Sequence, residues 1–478
     1  MSNLKANILF NYIHTITALL FPMLTFPYAS RILLPEGIGV VNFQLSIINY
    51  IVLFTSLGIP LYAVKEIAKC RDDIEHRNKT TIEIIALSLI LCILGYIVVY
   101  FIGVFVPQIN KNLSLFYILS LTIFFNGIGV QWFYQGVEDF KFTTIRSVLV
   151  RIFTTACLFI FVKNANDLLI YAAITVGITV GNNLVNFIYL TKYIPVNSLF
   201  KYKLDIGRHV KPALHIFVLN LIISIYINLN TVMLGFIAND YSVGLYTAGN
   251  KIPHMILSLV TSMGVVLLPR CSNLVATKQF EDFSKVCDKA IRLVILISIP
   301  AVIGLFYLAE PIIMIFCGNE YIEAVPILLW TSPIVLFIGL TNVIGIQILY
   351  PIGKENIVIY STIIGALVNL ILNILLIPNL GAIGAGISTF AAELAVLLIQ
   401  FFIGMKHIPF KLFNDKYLIY LEACLLLIGS VILLSICKFD AYMSVILFLL
   451  SCLIYFTFLY MRKDDIVLSI IKTALKRK

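Results

Sequence analysis

Apolar residues in this chain are gathered into long blocks, separated by short stretches that contain charge, Pro and Gly. The blocks are about 18 to 26 residues long, the length an α-helix needs to cross a hydrocarbon layer of roughly 30 Å at 1.5 Å per residue. The pattern predicts about fourteen membrane-spanning helices that fill nearly the whole chain. They lie near residues 8–30, 38–61, 82–106, 113–131, 146–163, 168–190, 213–237, 245–269, 291–309, 326–350, 357–377, 384–405, 417–437 and 442–461.

Composition agrees with an all-α integral membrane protein. The chain is 60% hydrophobic and 12% charged, whereas a soluble protein carries about 25% charged residues. Its net charge of +10 comes from Lys and Arg scattered over short loops, a distribution that argues against nucleic-acid binding. The nine Cys show no CxxC spacing, so neither a disulfide framework nor a zinc site is expected.

The basic residues also predict an orientation. If the N-terminus is cytoplasmic, 29 of the 34 Lys and Arg fall in cytoplasmic segments. The positive-inside rule then places both termini in the cytoplasm of a bacterial cell, in its cytoplasmic (inner) membrane. Each loop on the outside is short, the longest running from Glu310 to Ala324. We therefore expect the function to lie within the helices.

A short internal repeat indicates how the helices are grouped. The stretches Asn126–Tyr134 and Asn342–Tyr350 agree at five of nine positions and begin 216 residues apart. Each closes a predicted helix on the cytoplasmic side. The offset pairs each helix with the sixth one after it, which predicts two six-helix lobes related by an axis along the membrane normal. The predicted lobes are residues 1–206 and 207–410, and residues 411–478 add two helices and a tail.

Two segments carry a resemblance to a known family. The stretch Arg31–Gly39 and the stretch Gly244–Ile252 resemble those of the Wzx-type O-antigen and capsule flippases. These belong to the polysaccharide-transport branch of the MOP superfamily, which also holds the MATE exporters and the lipid II flippase. The resemblance implies two lobes around a central cavity, no cofactor, and an oligosaccharide on undecaprenyl pyrophosphate as substrate. It also implies polysaccharide polymerase and other assembly proteins as partners.

Polar residues inside the predicted helices are the candidate site. An ionisable side chain at the bilayer centre costs about 2.5–3.5 kcal/mol, so each should face a cavity or a partner. Lys251, with Asn250 and His254 beside it, is predicted to hold pyrophosphate or sugar, although a lysine that snorkels to the interface is the alternative. Glu393, near the middle of its predicted helix, is the candidate for ion coupling. A structural bond to a neighbouring helix is the alternative for Glu393.

Amide side chains would suit sugar hydroxyls, because they both donate and accept hydrogen bonds. Interhelical hydrogen bonds, worth about 0.6 kcal/mol each, are the alternative role. Arg151, one turn into its predicted helix, could contact phosphate or snorkel to the headgroups. On these boundaries Lys251 is the only deep basic residue. The amide candidates are Asn220, Asn186 and Asn369, followed by Asn182, Asn183, Asn228, Asn230 and Asn373, whereas Asn126, Gln131, Asn342 and Gln347 are predicted to form a hinge or packing motif.

Other function classes lack their hallmarks. A MATE-like drug exporter would need a membrane-buried acid in the first lobe, and every acid there is predicted in a loop or at a helix end. A membrane enzyme would need a large outer loop or a buried set of His, Arg and acid. The sequence holds no HExxH, GxxxxGK[ST] or GxGxxG motif, so neither a metal site nor nucleotide hydrolysis is predicted. A scaffold without transport would leave Lys251 and Glu393 unexplained.

Overall fold

The structure is a computed structural model that describes residues 4–195, 202–407, 415–436 and 440–475. Within these ranges the regular structure is helical and no strand occurs. The first helices are α1 (Leu4–Ser56), α2 (Ile59–Lys69), α3 (Ile74–Phe105), α4 (Pro107–Asn110), α5 (Leu113–Gly127), α6 (Gln131–Gly136), α7 (Phe140–Phe161), α8 (Leu168–Leu190) and α9 (Gly207–Ile237). The later ones are α10 (Asp240–Ala276), α11 (Phe280–Tyr307), α12 (Ala309–Phe316), α13 (Val325–Thr331), α14 (Ile334–Thr341), α15 (Glu355–Gly404), α16 (Asp415–Ile436), α17 (Ala441–Met461) and α18 (Asp465–Leu475).

Eleven of the described helical segments are long and apolar enough to cross a membrane. This confirms the prediction of an all-helical, multi-pass membrane protein. Two segments are much longer than one crossing requires, since α1 has 53 residues and α15 has 50. Each is broken by a residue with positive φ, Leu34 at 61° and Gly381 at 51°. Pro35 follows Leu34 and disfavours a helical conformation at it, which explains the first break.

The chain divides into two units, residues 1–244 and 245–478. In the first unit α1 packs against α5 and α7, α5 against α8, and α9 against α1 and α2. In the second unit α14 lies between α11 and α15, and α16 pairs with α17. The lobe boundary at 206/207 stays a prediction, and the boundary at 410/411 lies outside the described residues.

Both copies of the predicted repeat lie where a helix becomes irregular. In the first copy α5 ends at Gly127 and α6 begins at Gln131. In the second copy residues Asn342–Leu349 form a π-helix that continues α14. Such irregular turns are frequent at functional sites and hinges. Each copy therefore interrupts regular α-helix, and the relation of the two lobes by an axis stays a prediction.

Two glycines from the segments that carry the family resemblance permit a close approach of backbones in the first unit. A Cβ added at Gly39 would lie 1.7 Å from the carbonyl oxygen of Asp240. A Cβ at Gly244 would lie 1.9 Å from the carbonyl oxygen of Pro35. No side chain fits at such distances, so α1 and the start of α10 touch only because both positions are glycine.

Candidate functional site

The first unit places two arginines further inside their helix than the predicted helix boundaries do. Helix α7 begins at Phe140 rather than near residue 146, because the Asp139 side chain caps it by accepting a hydrogen bond from the Phe142 amide at 3.3 Å. Arg146 and Arg151 therefore lie about two and three turns inside α7. Helix α7 therefore carries two basic residues well inside a helix, while the prediction that Lys251 is the only deep basic residue stays a prediction.

Arg146 is held by amides rather than by acids. Its side chain is 5% exposed. Its guanidinium donates to Asn186 Oδ1, to the Asn182 carbonyl at 3.2 Å and to Gln131 Oε1 at 3.5 Å. The Arg146 Nε atom is buried and has no hydrogen-bond partner among the described residues. A buried cation with only neutral partners is costly, so this environment favours a bound anion.

Asn186 and Arg151 occupy different parts of the same unit. Asn186 is buried, and its backbone carbonyl accepts a hydrogen bond from the Tyr134 hydroxyl at 2.6 Å. Arg151 donates to the His14 carbonyl at 3.2 Å and to Thr17 Oγ1 at 2.9 Å, both on α1. The predicted residue Asn186 therefore contacts Arg146, which the sequence did not single out. The predicted residue Arg151 instead forms hydrogen bonds between α7 and α1.

The second unit holds the predicted cluster around Lys251. Asn250 and Lys251 are half-buried on α10 and His254, one turn later, is exposed. Asn250 Nδ2 donates to the Tyr246 hydroxyl at 3.4 Å, and that hydroxyl lies 3.1 Å from Thr389 Oγ1 on α15. The Asn250 Oδ1 atom is buried and has no hydrogen-bond partner in the part of the chain that the structure describes. These side chains offer a cation, an amide and an imidazole within about one helical turn.

Apart from Asn182 and Asn183 on α8 and Asn228 and Asn230 on α9, the remaining candidate site residues lie on α15, with one exception. Glu393 is buried one turn after Thr389, so the two share a helix face. Asn369 and Asn373 are fully buried, and Asn373 Nδ2 donates to Asn369 Oδ1 at 3.1 Å. This pairing along one helix favours a packing role for both. The exception is Asn220 on α9, whose side chain lies outside the described residues.

One carboxylate lies well inside a helix and not at a helix end, where the sequence pattern predicts it. Glu83 was expected at a helix end, but α3 begins at Ile74 and buries Glu83 completely. The Asp205 amide donates to it at 2.8 Å, Arg208 on α9 forms an ion pair with it, and His209 Nε2 on the same helix lies 2.9 Å from its carboxylate. The Asp73 side chain caps α3 by accepting from the His76 amide. This Asp at the cap position was the signal that could have revealed the earlier start.

Sequence comparison decides the family. A family model described as polysaccharide biosynthesis protein matches residues 4–275, more than half of the chain. The chain belongs to this family. The MatE model also matches residues 216–375, in agreement with the resemblance to the MOP superfamily.

Individual relatives agree with this assignment. The chain is 27% identical to a putative O-antigen transporter of Escherichia coli over 82% of this chain and 95% of the relative. It is 26% identical to a capsular polysaccharide biosynthesis protein of Staphylococcus aureus over 77% and 91% of the two chains. Among solved structures, the lipid II flippase MurJ aligns with a TM-score of 0.73 over 97% of this chain and 100% of that one, at 17% identity. These matches confirm the predicted resemblance, and two of the three named proteins are described as a transporter and a flippase.

Proposed function

We propose that this protein is a flippase that moves undecaprenyl-pyrophosphate-linked oligosaccharide repeat units from the cytoplasmic to the outer leaflet. The product would serve the synthesis of O-antigen, capsule or exopolysaccharide. The similarity to an O-antigen transporter over 95% of that protein's length carries the proposal. Arg146 adds a physical reason, since it is a cation buried within the protein whose described hydrogen bonds go to amide oxygens.

The proposed topology has fourteen spans in two six-helix lobes with two added helices. The eleven apolar segments support it, because the breaks at Leu34 and Gly381 turn each of the two longest segments into two spans. Helix α9, with 31 residues, would supply the last one. Both termini would then lie in the cytoplasm, and the membrane would be the bacterial cytoplasmic membrane.

The proposed mechanism is alternating access. The pyrophosphate and sugars enter an inward-open cavity between the lobes, and rocking of the lobes then opens the cavity outward. Arg146 and Lys251 attract the anionic pyrophosphate, and amides such as Asn250 bind sugar hydroxyls. Glu393 is the proposed coupling residue. A membrane potential could contribute, because moving one charge across 100 mV is worth about 2.3 kcal/mol.

The test is the sidedness of the lipid-linked oligosaccharide after depletion of the protein. Accumulation of the intermediate on the cytoplasmic face is expected, and unchanged sidedness would overturn the proposal. Lys251→Ala and Arg146→Gln should each impair transport in protein that still reaches the membrane. Lys285→Ala is the matched control, because Lys285 is an exposed residue paired with Glu281 at 2.8 Å.

A MATE-like exporter is the second candidate, because the MatE model matches and Glu83 is a buried acid in the first unit. Its partners argue against ion exchange there. Arg208, His209 and the Asp205 amide already contact the carboxylate. The Glu83 carboxylate therefore does not need a coupling cation to neutralise it. Loss of dye efflux on depletion, with normal oligosaccharide sidedness, would favour the exporter.

A further inference from the structure

A groove runs between α7 and α8 in the first unit. It encloses about 770 Å³ and is lined almost entirely by apolar residues, among them exposed Phe153 and Phe161. Ala173, Gly177 and Gly181 follow one another at four-residue spacing along the α8 wall, so they share one helix face and give the groove its depth. At Gly177 an added Cβ would meet only Thr154 Cγ2, at 3.8 Å.

The groove continues into a second cavity of about 480 Å³ that also has three charged residues in its lining. Leu149 and Val150 line both cavities. Asp139, Lys141 and Arg146 are the charged residues of the second one. The Asp139 carboxylate is already engaged, since it caps α7 and accepts a hydrogen bond from the Tyr193 hydroxyl at 3.1 Å.

Arg146 points to a ligand at this end. Arg146 is only 5% exposed, and its Nε atom has no hydrogen-bond partner in the described residues. The other cation that lines the cavity is Lys141, which is exposed. An anion bound here would supply the negative charge that the surrounding amides lack.

Together the two cavities form a single channel with one cationic end. The distance along α7 from Arg146 to Phe161 is about 22 Å at 1.5 Å per residue, most of the thickness of a hydrocarbon layer. A polyprenyl phosphate carries a single chain on its phosphate. A phospholipid would bring two chains to the same headgroup.

We propose that the α7–α8 groove binds the polyprenyl chain of the lipid carrier, with its phosphate end beside Lys141 and Arg146. This proposal rests on the proposed function, because that function makes a polyprenyl-linked molecule the substrate. The groove would be where the carrier docks from the inner leaflet before its headgroup is moved. During transport the polyprenyl chain would contact the groove as well as the surrounding lipid.

The probe is undecaprenyl phosphate that carries a diazirine in its chain, added to the full-length protein in lipid nanodiscs. After photolysis the labelled peptides are mapped by mass spectrometry. We expect label on α7 and α8, competed away by unlabelled undecaprenyl phosphate and not by the same excess of phosphatidylglycerol. Equal competition by phosphatidylglycerol, or label confined to other helices, would overturn the proposal.

Substitutions in the groove make the test specific. Gly177→Phe should fill the groove and abolish most of the labelling, whereas Gly177→Ala should keep it, because the space there accepts a methyl group. Ile178→Phe is the matched control, since Ile178 is the adjacent exposed residue and does not line the groove. Labelling of Gly177→Phe at the wild-type level would contradict the proposal. Size-exclusion profiles establish that each variant is folded.

The labelling assay tests the groove, and the sidedness assay tests the proposed transport. If depletion of the protein leaves the sidedness of the oligosaccharide unchanged, the proposed transport is wrong, whatever the label shows. If depletion traps the oligosaccharide inside but the groove takes no label, transport stands and this site is wrong.

Discussion

Replacing Glu83 should destabilise the protein by disconnecting α9 from α3. Glu83 has no exposed surface, and its carboxylate receives hydrogen bonds from the Asp205 amide, Arg208 and His209. The other ring nitrogen of His209 lies 2.7 Å from the Tyr62 hydroxyl on α2. Glu83→Ala would therefore leave several donors unpaired at the junction of three helices.

The size of the effect follows from the burial of each partner. Breaking a buried ion pair by removing one member costs about 3–5 kcal/mol. The Arg208 side chain is 35% exposed, so solvent can hydrate it and its share is reduced. The Asp205 amide and His209 remain, and hydrogen bonds to a charged group contribute about 1.5–3 kcal/mol each. We expect a loss of about 3 kcal/mol for Glu83→Ala and about half of that for Glu83→Gln, which keeps an acceptor.

The measurement is the unfolding midpoint in detergent, by heat or by guanidinium, with the protein concentration and detergent held constant. The control is Glu66→Gln, because Glu66 pairs at 2.7 Å with Lys69, an exposed residue one turn away. Surface pairs of this kind are worth about 0–1 kcal/mol, so the control should shift the midpoint little. If Glu83→Ala unfolds at the same midpoint as Glu66→Gln, the argument that Glu83 ties these helices together is refuted.

Two further substitutions test packing in the two units. Gly39→Ala should disrupt the contact between α1 and α10, because the new Cβ would lie 1.7 Å from the Asp240 carbonyl oxygen. We expect a lower yield of folded protein on size exclusion. The control Gly429→Ala should be neutral, because an added Cβ there would have nothing within 4 Å. Arg292→Ala should lower the unfolding midpoint by the equivalent of about 3 kcal/mol, because Arg292 is 2% exposed and lies 3.6 Å from the carboxylate of Asp464, which is located between α17 and α18. A midpoint equal to wild type for Arg292→Ala would show that this ion pair does not stabilise the second unit.

The sequence predicted an all-helical, multi-pass membrane protein correctly but placed several helix ends poorly, for one physical reason. Hydropathy reports where the chain leaves the hydrocarbon layer, since the bilayer fixes the length of the apolar block. It does not report where the helical hydrogen bonds stop. Helix α3 begins at Ile74 and α7 at Phe140, several residues before their apolar blocks, because aspartates at positions 73 and 139 cap polar first turns.

The partners of the site residues lay beyond the reach of sequence analysis. Arg146 and Asn186 are 40 residues apart, and Glu83 and Arg208 are 125 apart. Such pairs depend on which helix faces which, and a single sequence without a known arrangement of helices does not contain that information. Lys251 and Asn250 could be found because they are neighbours in the chain and fall inside one apolar block.

The buried charges can be sorted by what neutralises them, and this decides where an anionic substrate would bind. Glu83 and Arg292 face groups of opposite charge, so their interactions are satisfied within the protein. Arg146 faces the Asn186 amide, which supports the guanidinium but does not cancel its charge. Asn186→Asp would place a carboxylate at that position, and a paired cation is more stable in the membrane than an unpaired one. We therefore expect this variant to unfold at a higher midpoint and to transport less, a combination that a purely structural role for Arg146 would not produce. Normal oligosaccharide sidedness in the Asn186→Asp strain would show that the substrate does not use this cation.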